Sequence, residues 1–124
     1  LSKDWVEDVG EFHKHIDYPE YTLSTPINTT TVLRRLAHMH EELVEFTRAL
    51  EVHDVHEMSD ALTDLIYVAV GTARHMGVDL RPVWDEVHKS NMTKKKMPHN
   101  LKHCTKDADF RGPDIVGALC RGKL

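Results

Sequence analysis

The chain has 124 residues, the length of one domain, with 20 acidic and 16 basic side chains and a formal net charge of −4. That balance excludes the basic footprint of a duplex-binding surface, so no nucleic-acid partner is expected. No stretch approaches the roughly 18 consecutive apolar residues of a membrane span and no signal peptide is visible, so no membrane partner is expected either. The only two cysteines, Cys104 and Cys120, stand far apart without a CxxC pair, which argues against a zinc site or disulfide framework and for a reducing, cytoplasmic setting. The chain opens at Leu1 rather than Met, as a processed N-terminus would.

Residues 3–16 place Trp5, Val6, Val9, Phe12 and Ile16 three and four apart, the spacing of an amphipathic helix. Residues 17–28 hold Pro19, Pro26 and several Thr and Ser, and read as a loop. Thr29, Thr30 or Thr31 is expected to cap a second helix running over 29–52, followed by a short turn at His53-Asp54. The third helix is expected over 55–76. From Ala61 to Ala73 it is apolar on most sides, which predicts burial in a bundle core or under a partner subunit. Asp79 is expected to cap a fourth helix over 80–89, with Pro82 in its first turn and Val83, Trp84 and Val87 on its apolar side. Trp5 and Trp84 are expected in the core or at an interface, with stacking on a base as the alternative. The remainder, 90–124, reads as a basic loop with a short helix near Ile115–Leu119. The fold class is therefore all-α: one domain over 1–124, a four- to five-helix bundle.

Two acidic stretches stand out. On a helical wheel Glu41, Glu42 and Glu45 fall within an arc of about 100°, and Glu57, Asp60 and Asp64 within about 60°. Antiparallel helices joined near residues 52–53 pair positions whose numbers sum to about 105, which sets Glu45 level with Asp60 and Glu41 level with Asp64, across axes about 8–10 Å apart. Glu-Glu-x-x-Glu alone is ordinary on a solvated helix face. Asp60 and Asp64 are harder to dismiss, because they interrupt an apolar helix. Carboxylates gathered at low dielectric repel, and a divalent cation removes that cost. An all-oxygen set favours Mg²⁺ or Mn²⁺ over zinc, with phosphate as a further ligand.

Ser90-Asn91-Met92-Thr93-Lys94-Lys95-Lys96 follows the fourth helix, and its amide and ammonium groups suit sugar and phosphate, with Lys94 the preferred phosphate ligand. A di-iron bundle needs Glu-x-x-His pairs, and no such spacing occurs in the chain. Most of the ten histidines, His13, His38, His40, His53 and His56 among them, therefore read as surface or edge residues. His13, next to Phe12, is also a candidate for lining a base pocket.

Taken in order, Glu41-Glu42-x-x-Glu45 and Glu57-x-x-Asp60 resemble the signature of the MazG-like, all-α nucleoside triphosphate pyrophosphohydrolases. The stretches Asp60–Tyr67, Gly71–Ala73 and Val87–Lys94 look like the small single-domain branch often carried by phages, and the likeness runs over about residues 5–120. The resemblance implies Mg²⁺-dependent hydrolysis of a (d)NTP to the monophosphate and pyrophosphate. It implies Glu42, Glu45, Glu57 and Asp60 as metal ligands and Glu41 as the residue that activates water. Asn91 and Lys94 would contact sugar or phosphate, and Asp64 and Tyr67 are further substrate-binding candidates. It also implies a homo-dimer or tetramer, in the host cytoplasm if phage-encoded, and a purine deoxynucleotide such as dGTP or dATP as substrate. Phosphoribosyl-ATP, dUTP and dCTP are the alternatives within the fold, and a non-catalytic metal-binding helical interaction protein is the alternative outside it. One departure concerns selectivity: only eleven residues separate Glu45 from Glu57, which leaves no room for a longer loop around a base.

Overall fold

A computed structural model describes residues 4–96, 104–106 and 108–124. Among them are five helices: α1 (Trp5–His15), α2 (Thr29–Glu51), α3 (Val55–His75), α4 (Leu80–Asn91) and α5 (Ile115–Arg121). The all-α class is observed, with one two-residue antiparallel pair, Lys95–Lys96 against Cys104–Thr105, inside the stretch expected to be loop. Within that stretch residues 97–103, Lys102 among them, and 107 lie outside the described residues. The chain divides into two compact units, 1–78 with 124, and 79–123.

Each helix starts at an Asp or Asn whose side chain accepts a backbone N–H of the first turn: Asp4, Asn28, Asp54, Asp79 and Asp114. Asp79 was the expected cap of α4. For α2 the cap is Asn28 rather than a threonine, because its Oδ1 reaches the Thr31 N–H at 3.1 Å while Thr29 is already helical. The α2–α3 turn closes through His53 in the left-handed region (φ 55°) and a bond from Asp54 N–H to Ala49 O at 2.9 Å.

In the first unit α2 and α3 pack antiparallel, and α1 lies on α3. The expected register holds to within two residues, since Arg35 donates to Thr72 Oγ1 at 3.1 Å. The apolar core is made of small side chains: Val6, Val9, Ala49, Ala61, Val68 and Val70. Burial of α3 follows its length unevenly. Its last two turns are buried, whereas Val55, Leu62 and Ile66 are exposed. Trp5 and Trp84, expected in the core or at an interface, are 60% and 72% exposed within the chain.

Beside this core lies a buried polar cluster. Arg74 reaches both carboxylate oxygens of Glu20, Nε to Oε2 at 2.6 Å and Nη2 to Oε1 at 2.8 Å, and its Nη1 donates to Val6 O at 3.0 Å. His13 Nδ1 meets Glu20 Oε2 at 2.7 Å, and His75 Nδ1 donates to Pro19 O at 2.7 Å. The loop after α1 is thereby held onto α1 and α3. Two helical glycines make room for the cluster: a Cβ on Gly10 would lie 2.5 Å from the Arg74 guanidinium, and one on Gly71 would lie 2.5 Å from Arg35 Nη2.

In the second unit Asp79 joins the start of α4 to the chain after α5. It accepts from Arg81 Nε at 2.9 Å and from Lys123 N–H at 2.9 Å. Burial pushes Asp79 up, but the hydrogen bonds from Arg81 and Lys123 outweigh it and hold the carboxyl below its ordinary value. Glu86 on α4 pairs with Arg121 on α5 at 3.1 Å.

Gly10→Ala is expected to destabilise the fold by about 1–3 kcal/mol, because the pinned guanidinium cannot retreat; urea unfolding of the two proteins measures it. Burial outweighs the Glu20 contacts and lowers the His13 pKa from the ordinary 6.5. The unfolded chain therefore takes up the proton first, and stability present above pH 6.5 is lost as the pH falls toward the folded value. A melting temperature that did not decline between pH 7.5 and 5.5, or that declined equally in His13→Gln, would contradict this.

Candidate active site

The hairpin carries the acidic residues on two walls. Glu41, Glu42 and Glu45 project from α2, and Glu57, Asp60 and Asp64 from α3; all are exposed except Glu42, which is 7% exposed. Glu42 Oε1 lies 3.4 Å from Nε2 of His38 one turn earlier, while Oε2 is buried with no hydrogen-bond partner among the described residues. Burial first, then the charges of Glu45 and Asp64, push the Glu42 pKa up from its ordinary value, and His38 offsets this only in part. A carboxylate so placed gains from a proton or a cation. Across the hairpin, Glu45 and Glu57 line one recess with Arg48, Ala49, Val52 and Asp54. Among the described residues no three His, Cys, Asp or Glu side chains converge closely enough to hold a metal ion as they stand. Bare carboxylates at close range repel by about 1–4 kcal/mol per pair at 4 Å, depending on how much water screens them.

The other candidates fall in three places. Phe12 and Tyr67 meet edge to face, ring centroids 5.7 Å apart, beside a pocket of about 260 Å³ between α1 and α3. Burial, and then the charges of Asp8 and Glu11, raise the Tyr67 pKa. His13, expected at the surface, is instead 3% exposed, its ring 4.8 Å from that of Tyr18 and its Nδ1 taken by Glu20. It faces the polar cluster rather than the residues lining that pocket. Asn91 ends α4 in the second unit, exposed, and half-buried Lys94 follows, its N–H bonded to Asn91 O at 3.1 Å.

Three groups were not singled out as site residues from sequence. His38 sits four before Glu42 and Arg48 three after Glu45, spacings that place each on the carboxylate face. Trp5, Asp8 and Thr63 come together only because α1 lies on α3.

Residues 9–91, about two-thirds of the chain, match the family described as Phosphoribosyl-ATP pyrophosphohydrolase, PRA-PH. The chain belongs to the phosphoribosyl-ATP pyrophosphohydrolase family. It thus falls within the MazG-like all-α superfamily, and the family match indicates pyrophosphohydrolase chemistry on a phosphoanhydride bond. The matched span takes in both acidic walls and ends at Asn91. No curated protein matches the chain. Among the described residues no helix is long and apolar enough to cross a membrane.

Because the Glu42 pKa is raised above 4.5, the metal-free protein is expected to lose stability as the pH rises through that folded value, and Glu42→Gln is expected to remove this loss. Melting curves in a chelator from pH 4.5 to 8 test this; parallel curves for the two proteins would contradict it.

Proposed function

We propose that the chain is an Mg²⁺-dependent nucleoside triphosphate pyrophosphohydrolase that converts a (d)NTP to the monophosphate and pyrophosphate. The observation that carries this reading is the orphaned, buried Oε2 of Glu42, with the charges of Glu45 and Asp64 near enough to raise its pKa. That oxygen, beside the carboxylates of Glu45 and Asp64, fits a hard divalent cation, Mg²⁺ or Mn²⁺. Glu42, Glu45, Glu57 and Asp60 would hold it. When bound, such an ion supplies positive charge against the phosphate oxygens and lowers the pKa of water. Exposed Glu41, beside Glu42 on α2, takes the proton from the attacking water; Asn91 and Lys94 contribute an amide and an ammonium group for sugar and phosphate.

A purine deoxynucleotide, dGTP or dATP, is the preferred substrate. The family match favours a second reading, phosphoribosyl-ATP, which shares the same scissile phosphoanhydride. A homo-dimer or tetramer is part of the proposal: Leu33, Leu36, Leu43, Val44, Leu50 and Leu62 are each 44–57% exposed on the hairpin, an amount of apolar surface that marks interaction sites on small proteins.

Pyrophosphate release measured over the dNTPs, dUTP and phosphoribosyl-ATP, with and without Mg²⁺, tests the reading. Glu41→Gln is expected to cut turnover roughly 10²–10⁴-fold while sparing nucleotide binding, and Glu45→Ala or Asp60→Ala to abolish Mg²⁺-dependent activity. Full Mg²⁺-dependent activity in either alanine variant would sink the site assignment. Metal-induced thermal stabilisation with no pyrophosphate from any substrate would favour a non-catalytic metal-binding protein instead.

A further inference from the structure

The pocket between α1 and α3 has a composition that the metal site does not use. Trp5, Val9, Ile66, Tyr67 and Val70 line it with apolar and aromatic surface, and Asp8 and Thr63 with polar groups. Its volume of about 260 Å³ falls below the roughly 300 Å³ at which pockets begin to enclose whole drug-sized ligands, which suits one planar heterocycle. It continues the acidic wall: Thr63, Asp64 and Tyr67 stand three, four and seven residues after Asp60, on one side of the helix, so pocket and carboxylates lie within about two turns of α3. The Asp8 carboxylate makes no side-chain hydrogen bond or ion pair among the described residues, although it lies near enough to Tyr67 for its charge to be felt there.

We propose that this pocket receives the nucleobase and that Asp8 selects guanine, its two carboxylate oxygens accepting the adjacent N1–H and N2–H groups between the walls of Trp5 and Tyr67. This rests on the nucleotide reading above and narrows it. An ionised carboxylate only accepts. Guanine alone among the common bases offers two adjacent donors on its Watson–Crick edge. Adenine and cytosine offer one donor beside an acceptor, and uracil and thymine one donor between two acceptors. Flat aromatic walls hold any base, so the discrimination falls to Asp8.

Trp84→Phe leaves Trp5 as the sole tryptophan, and its fluorescence reports the pocket without metal or turnover. Deoxyguanosine is expected to quench Trp5 and to bind roughly tenfold or more tightly than deoxyadenosine, deoxycytidine or thymidine, as one bidentate contact can discriminate. Asp8→Asn, which sets a donor beside an acceptor, is expected to erase or reverse that preference, and Asp8→Ala to erase it. Equal quenching by all four nucleosides, unchanged in both variants, would overturn the role of Asp8. No quenching by any of them would overturn the pocket, and burial of Trp5 in a dimer would then assign it to a second copy of the chain. Pyrophosphate release from dNTPs without nucleoside quenching sinks the pocket alone; guanosine-selective quenching without pyrophosphate release keeps the pocket and sinks the hydrolase.

Discussion

Arg74 is where the first unit is tied together. Its guanidinium is buried between α1 and α3 and spends its donors on both oxygens of Glu20 and on Val6 O, so one side chain joins α3 to α1 and to the loop that follows it. A charge in such a place is tolerated only when it is paired and hydrogen-bonded, and removing its partner typically costs about 3–5 kcal/mol. Here the figure is at the low end or beneath it, because the Glu20 side chain is 25% exposed and water shares in holding it. Gly10 is the counterpart in backbone. The helix gives up roughly 0.5–1 kcal/mol of propensity there so that the guanidinium can lie against it.

That tie matters because the apolar core is too slight to position α1 alone. Among the described residues Val9 is the largest fully buried side chain, while leucines along the α2–α3 hairpin remain half exposed. With weak apolar packing, polar contacts fix how α1 sits on α3, and that seating creates the pocket between them. The same shortage leaves apolar surface exposed along the hairpin. Folding and the proposed assembly thus draw on one set of helices, with charge used inside and hydrophobic surface left outside.

The carboxylate walls follow a different constraint. Glu42 is turned inward, and its buried Oε2 finds no donor among the described residues. Its neighbours Glu45 and Asp64 stay exposed, near enough for their charges to be felt at Glu42. Burial and the neighbouring charges together disfavour ionisation of Glu42 and raise its pKa.

Much of this was legible in the residues. Helical periodicity, Asp79 as a cap, the hairpin turn and the two acidic stripes all arise from local spacing, and local spacing is what a sequence displays. The family match over residues 9–91 agrees with the resemblance carried by those stripes. Other features were not legible. Asn28 caps α2 because of where the backbone bends, not because it outranks three adjacent threonines. His13 looked like a surface or base-lining residue, and only contact with Glu20, seven residues on, makes it part of a buried cluster. Which glutamate of the Glu-Glu pair faces inward depends on the rotation of α2 against α3. By itself the sequence determined the helices, the hairpin turn and the two acidic stripes, because each depends on residues within a turn or two of one another. Tertiary structure decided that Glu42 is the buried member, that Arg74 holds α1 in place, and that Trp5, Asp8 and Tyr67 share a pocket. Those follow from how α1, α2 and α3 pack, over separations that no periodicity records.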